Sequence, residues 1–180
     1  MAVLERTVPK TLSTDANWQS RLRAILRSTS PTAKVALVGV GHPMRGDDFV
    51  GSSIVKTLMN TIRTDNVVFF DAEDGIEWVT SKIASFNLRH LILLDACQMN
   101  SNPGEVALIP LAETDYPFFT THGIPLKLLV NKLLPSVETS ILAIQPGRAG
   151  LNEPLSPAVS ATANSISNFI VASLKESELF

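Results

Sequence analysis

From Lys34 onward, short β-compatible apolar runs alternate with stretches of helical period. That alternation constrains the fold more than any other feature. A strand that feeds a helix and returns to a neighbouring strand builds right-handed β-α-β units on a mostly parallel sheet. The runs 35–40, 67–70, 90–94, 105–109 and 140–144 therefore predict an α/β domain of three layers, α/β/α, around a roughly five-stranded, twisted, mostly parallel sheet. The third run is almost wholly apolar and belongs at the centre of the sheet, buried on both faces.

Helical spacing fills the gaps. Ile54, Val55, Leu58 and Ile62 share one side of a helix over 48–63, and a second helix fits 76–86. A third starts after His122-Gly123 and places Leu126, Leu129, Val130 and Leu133 on one face. Ser156-Pro157 is a strong helix start, a cap serine before proline at the first helical position, and Val159, Ala163, Ile166, Ile170 and Leu174 form its apolar stripe. Residues 34–180 read as one domain. Residues 1–33 read as an N-terminal extension holding a docked helix from Asp15 as cap to Arg27, with Trp18, Leu22, Ile25 and Leu26 inward and Arg21, Arg23 and Arg27 as a solvated face.

Composition narrows the function classes. A net charge of −2 without a basic cluster gives no attraction for nucleic acid or anionic membrane. No apolar run approaches the roughly 20 residues that span a bilayer, and no signal-peptide core is present, so no membrane insertion is expected and the chain reads as cytoplasmic. One cysteine, Cys97, excludes an intrachain disulfide and a thiolate zinc ribbon.

The loop after the first strand, GVGHPMRGDDFVG, holds Gly39, Gly41 and Gly46 and delivers Asp47 and Asp48 to the start of a helix. A P-loop would have Lys and Ser or Thr where these acids stand. A pyrophosphate would be repelled by the two carboxylates, so the loop suits a cation. The plainer reading is that one aspartate caps the helix.

Ligands of an open parallel sheet bind outside the carboxyl ends of its strands. That rule gathers Asp47 and Asp48 after the first strand, Asp71 and Glu73 after the second and Asp95 after the third, with His122 at the start of a helix that can reach the same edge. Crowded carboxylates require a shared proton or a cation. Asp48, Asp95 and His122, with an open water position, would make a catalytic type of metal site suited to hydrolysis. His42 is either a turn residue or a neighbour of that site, and His90, opening a buried strand, reads as structural. Cys97 is either an inert small apolar residue or a nucleophile activated by His122.

Three motifs in order, GVGHPMRGDDFVG, LILLDACQMNSNPGEV and FFTTHGIPLKLLVNKLL, resemble those of the hydrogenase maturation endopeptidases, which trim the C-terminus of nickel-iron hydrogenase large subunits. TTHGIPL, with AIQP further on, is most similar to the hydrogenase 3-type branch. The resemblance covers roughly 34–174. It implies an endopeptidase acting on a large-subunit precursor, with Asp48, Asp95 and His122 contacting nickel that arrives in the precursor rather than as a resident cofactor. Asp47, Asp71, Glu73 and His42 would stand behind them. The sequence departs from the family at His42, where asparagine is usual, and at Phe49, where glycine is usual. Two other functions compete: a cysteine peptidase or amidase using Cys97 and His122, and a non-catalytic chaperone for nickel or precursor.

Overall fold

The computed structural model describes residues 17–30, 32–73, 75–114 and 125–177. Five strands form one sheet: β1 (Lys34–Val40), β2 (Val67–Glu73), β3 (Leu88–Ala96), β4 (Val106–Pro110) and β5 (Glu138–Ile144). Their order is β2-β1-β3-β5-β4, with every pair parallel except β4 against β5. β3 lies at the centre, and from Leu91 to Cys97 it is buried without interruption. A strand covered on both faces needs such a run rather than strict alternation.

The helices are α1 (Trp18–Arg27), α2 (Val50–Thr61), α3 (Glu77–Ile83), α4 (Leu126–Leu133) and α5 (Pro157–Ser177). Alternate side chains of each strand divide the core in two. On one face Val35, Leu37, Ile92 and Leu94 pack with Leu22 and Leu26 of α1, Ile54 and Leu58 of α2, and Val159, Ile166 and Ile170 of α5. On the other, Ala36, Val38, Leu91 and Leu93 meet Ile83 of α3 and Leu126 and Val130 of α4. Three layers result, α/β/α, as the alternation of strand and helix predicts.

Differences from the sequence reading concern helix ends. Asp47 and Asp48 do not open α2. They lie in a separate 3-10 turn, Gly46–Phe49, without a side-chain cap bond, and α2 begins at Val50. α1 starts after Asn17, which makes no side-chain cap bond; Asp15, the expected cap, lies outside the described residues. Nor are all the arginines of α1 merely solvated. Arg23 stacks on Phe169 at 5.0 Å and Arg27 pairs with Glu176 at 2.7 Å, while Trp18 meets Phe169 edge to face at 5.5 Å. These contacts fasten α1 to α5. Among the described residues no helix is long and apolar enough to cross a membrane.

Candidate functional site

The strand order fixes where a ligand fits. From β1 the chain passes through α2 to β2 on one side, then returns through α3 to β3 on the other side of β1. The crevice at the carboxyl ends of β1 and β3 is thus the topological switch point, the place where open α/β sheets bind ligands. The loop after β1 carries Asp48, and Asp95 is the next-to-last residue of β3. In register, Leu94 is opposite Gly39, so Asp95 stands level with the end of β1.

Two glycines let the helical layer descend onto those strand ends. A Cβ on Gly51 would collide with the carbonyl oxygens of Leu94 and Val40, so only glycine lets the first turn of α2 sit so low over β1 and β3. Gly41 has φ +132°, and a side chain there would strike the carbonyl of Asp48. The buried Ser52 hydroxyl donates to the Gly41 carbonyl at 2.9 Å and holds the loop down. Phe49 is right-handed, φ −70° and ψ −6°, so the loop does not need the glycine usual there.

The acids gathered at this edge by the sequence have different surroundings. Asp47 is fully buried. Its carboxylate accepts four hydrogen bonds: from the backbone N–H of Ser156 at 2.6 Å, Gly147 at 2.8 Å and Arg148 at 2.9 Å, and from the Ser156 hydroxyl at 2.8 Å. Burial alone would raise its pKa, but the bonds from Ser156, Arg148 and Gly147 outweigh burial and hold it below the ordinary carboxylate value. It also sits at the N-terminal end of α5, whose partial positive charge favours an anion. Asp47 N–H donates to the Arg148 carbonyl at 2.9 Å, Gly46 N–H to that of Glu153 at 3.1 Å, and Asn152 N–H to that of Met44 at 2.7 Å. Loops 41–49 and 145–156 are therefore one hydrogen-bonded unit.

Asp48 is only partly buried, and its carboxylate accepts the His42 N–H at 3.0 Å. The His42 ring turns back on the loop, its Nδ1 accepting the Met44 N–H at 3.2 Å, which leaves Nε2 to carry the proton of the neutral ring. Asp71 and Glu73 face Lys56 of α2, at 3.0 and 3.8 Å from its Nζ. Glu73 adopts a left-handed φ of 49° and receives the Gly41 N–H on its carbonyl, tying the end of β2 to the glycine loop. Asp95 is buried, 1% exposed. His122 and the aromatic stretch 116–119 lie outside the described residues. Among the described residues no three of His, Cys, Asp or Glu are grouped to hold a metal ion.

Two residues of this region were not singled out by sequence. Ser156 reads as a cap for its own helix, yet its hydroxyl and amide both serve Asp47, a partner 109 positions away. Gln145 is buried, and its side-chain oxygen accepts the Met99 N–H at 2.6 Å while its amide donates to Gln98 Oε1 at 2.8 Å. It thereby orders the loop that follows Asp95. Its local signals were its place at the end of an apolar strand and in the AIQP motif, neither of which told its role. His90 is buried within 3.4 Å of Glu138, as a structural histidine would be. Cys97 has no exposed surface and packs in the α3/α4 half of the core, which disfavours attack by its thiol.

Comparison with known proteins gives the arrangement a context. The chain is 31% identical over 121 residues to the hydrogenase 3 maturation protease of Escherichia coli, spanning 66% of this chain and 77% of that one. It is 28% identical over 155 residues to a protein of Methanocaldococcus jannaschii described as a candidate hydrogenase maturation protease, covering 81% and 91% of the two chains. The fold superposes on the [NiFe] hydrogenase maturation protease HycI from Thermococcus kodakarensis with a TM-score of 0.76, over 86% of this chain and 99% of that one, at 24% identity. No family model matches the chain.

Proposed function

The chain belongs to the hydrogenase maturation proteases, and we propose that it removes the C-terminal extension of a nickel-loaded [NiFe] hydrogenase large-subunit precursor, using Asp48, Asp95 and His122 to read the nickel. The enzyme is an endopeptidase. Nickel in this reading is part of the substrate, carried in by the precursor.

The observation that carries the reading is the position of Asp48 and Asp95 on either side of the switch point between β1 and β3. Two carboxylates and an imidazole are a donor set that a divalent first-row ion accepts. Asp48 and Asp95 sit on the two strand ends that flank the crevice, whereas Asp47 is enclosed by loop amides and Asp71 and Glu73 pair with Lys56. His122 would complete the set from the segment that leads into α4. His42 supports it by fixing Asp48 through its backbone N–H. An ion held between enzyme and precursor polarises the scissile carbonyl or lowers the pKa of a water beside it. An empty precursor offers no such ion, so the same contacts would distinguish finished from unfinished subunits. The match to a hydrogenase 3 enzyme favours a precursor of that type.

The test incubates the protein with nickel-loaded and nickel-free precursor and follows precursor mass. Shortening of the loaded form alone is expected. Shortening of neither would overturn the protease reading for this precursor, and binding without a mass change would favour a chaperone.

A further inference from the structure

Beside the acids, the joined loops present an apolar rim. Met44 is 49% exposed and Leu151 is 70% exposed. They lie more than 100 positions apart in sequence, but Asn152 N–H donates to the Met44 carbonyl at 2.7 Å, so their backbones are in contact. The loops do not hold these side chains out through looseness. The four bonds to the Asp47 carboxylate, together with Gly46 to Glu153 and Asp47 to Arg148, fix both segments, and Asn152 turns the chain with a left-handed φ of 58° directly after Leu151. A single exposed apolar side chain is ordinary, whereas here a backbone bond between two distant loops brings two exposed apolar residues to one edge beside Asp48.

Resting on the protease reading above, we propose that Met44 and Leu151 are specificity-determining residues, forming the rim against which an apolar segment of the hydrogenase precursor lies when its cleavage region reaches Asp48. The occupant follows from continuity with the site. Met44 is in the same loop as Asp48, and the intervening Gly46 and Asp47 are bonded to the loop that carries Leu151. A protein substrate whose peptide is presented to Asp48 approaches the loop that bears it. Met44 and Leu151 are themselves uncharged and apolar, so their contribution to recognition is by shape and hydrophobicity. The nickel contacts then report only whether the metal is present. The Asp47 staple gains a second consequence: it sets the spacing of the two rim side chains as well as the position of Asp48.

The test compares Met44→Ser, Leu151→Ser and the double variant with the parent enzyme on nickel-loaded precursor, after far-UV circular dichroism has shown that each is folded. Both positions are exposed, so the fold should survive. Losing apolar contact that is equal in ground and transition states raises KM without changing kcat, by about tenfold for each position. The double variant should show the largest rise, and Met44→Leu should restore most of the loss. Direct binding of the precursor to the Asp48→Asn protein, with and without the rim substitutions, gives the same answer with no turnover required. An unchanged KM and Kd in the double variant, or a fall confined to kcat, overturns the rim. If the parent enzyme leaves the precursor uncut, the protease reading fails while the binding constants still decide whether the rim holds the precursor.

Discussion

Two strand ends carry paired acids, and the fold handles the pairs differently. After β1, Asp47 is enclosed by three backbone amides and a serine hydroxyl, whereas its neighbour Asp48 is only partly buried and accepts the backbone amide of His42. In the last residues of β2, Asp71 and Glu73 share the ammonium of Lys56, a side chain 42% exposed. Backbone amides fixed by two loops cannot rotate away, so an acid they surround is committed to holding the loops. A lysine pairing near the surface is screened by water and mobile, and contributes little to stability. The end of β1 thus combines a rigid base with the acid proposed to meet substrate, while the end of β2 carries an ion pair to a half-exposed lysine.

Asp48→Asn should break the comparison most visibly. Processing of nickel-loaded precursor is expected to fall by more than about 100-fold, since a group contacting the reacting centre is lost. The melting temperature should hardly move. Mass spectrometry of the precursor and a thermal scan check both. Full activity would remove Asp48 from the site, and a large loss of stability would make it a structural acid like Asp47.

Asp47→Asn should do the reverse to stability. It replaces a buried anion by an amide whose NH2 faces amide donors, so unfolding in urea should show a loss of about 2–4 kcal/mol. Ser156→Ala removes one donor and should cost about 1 kcal/mol. A loss below about 0.5 kcal/mol for Asp47→Asn, within the range of ordinary surface changes, would erase the distinction between the two acids.

Acid titration sharpens the same contrast. Asp47 has a folded pKa below its unfolded value, so its contribution is complete above about pH 4 and is lost as pH falls through the folded pKa. His90 acts at higher pH. Burial lowers its pKa, Glu138 opposing and Arg89 reinforcing the shift, so the unfolded chain takes up a proton first and stability declines as pH drops below about 6.5. Urea midpoints from pH 8 to 3 should therefore show two declines. Asp47→Asn should flatten the lower one and keep the upper, and loss of the upper one instead would contradict the assignment.

The layers of this fold were legible because each strand run and each helical stripe is a local pattern. The run 90–94 marked the central strand, and the Ser156-Pro157 start with the stripe from Val159 to Leu174 marked α5. Helix ends were less legible, since the 3-10 turn at Gly46–Phe49 arises from Gly51 packing on Leu94, a contact between separate segments. The gathering of acids at one edge could likewise be read from strand ends. The partners of the individual acids could not, because they are distant: Ser156 lies 109 positions from Asp47, and the lysine that pairs with Asp71 comes from the second turn of α2. Residue type does not separate Asp47 from Asp48; the motif resemblance assigned Asp48 to the ligand set.

The smallest expected effect comes from Lys56, and it tests whether the β2 acids stand outside the chemistry. Lys56→Met keeps an unbranched side chain of similar length against Phe49, whose ring lies 5.1 Å from the ammonium, and removes only the charge. Asp71 and Glu73 are then left facing each other across a strand end, with Asp71 16% exposed and Glu73 57% exposed. Water reaches Glu73 freely, so the loss should stay below about 1 kcal/mol. Repulsion between the two acids is felt most when counterions are scarce, so the deficit should shrink between about 0.02 and 0.5 M salt as the Debye length shortens. Precursor processing should remain within about twofold of the parent, since surface charge changes away from the reacting groups are small in effect. A drop in processing as large as that of Asp48→Asn would instead place the β2 acids within the working site, and the two strand ends would have to be treated as one.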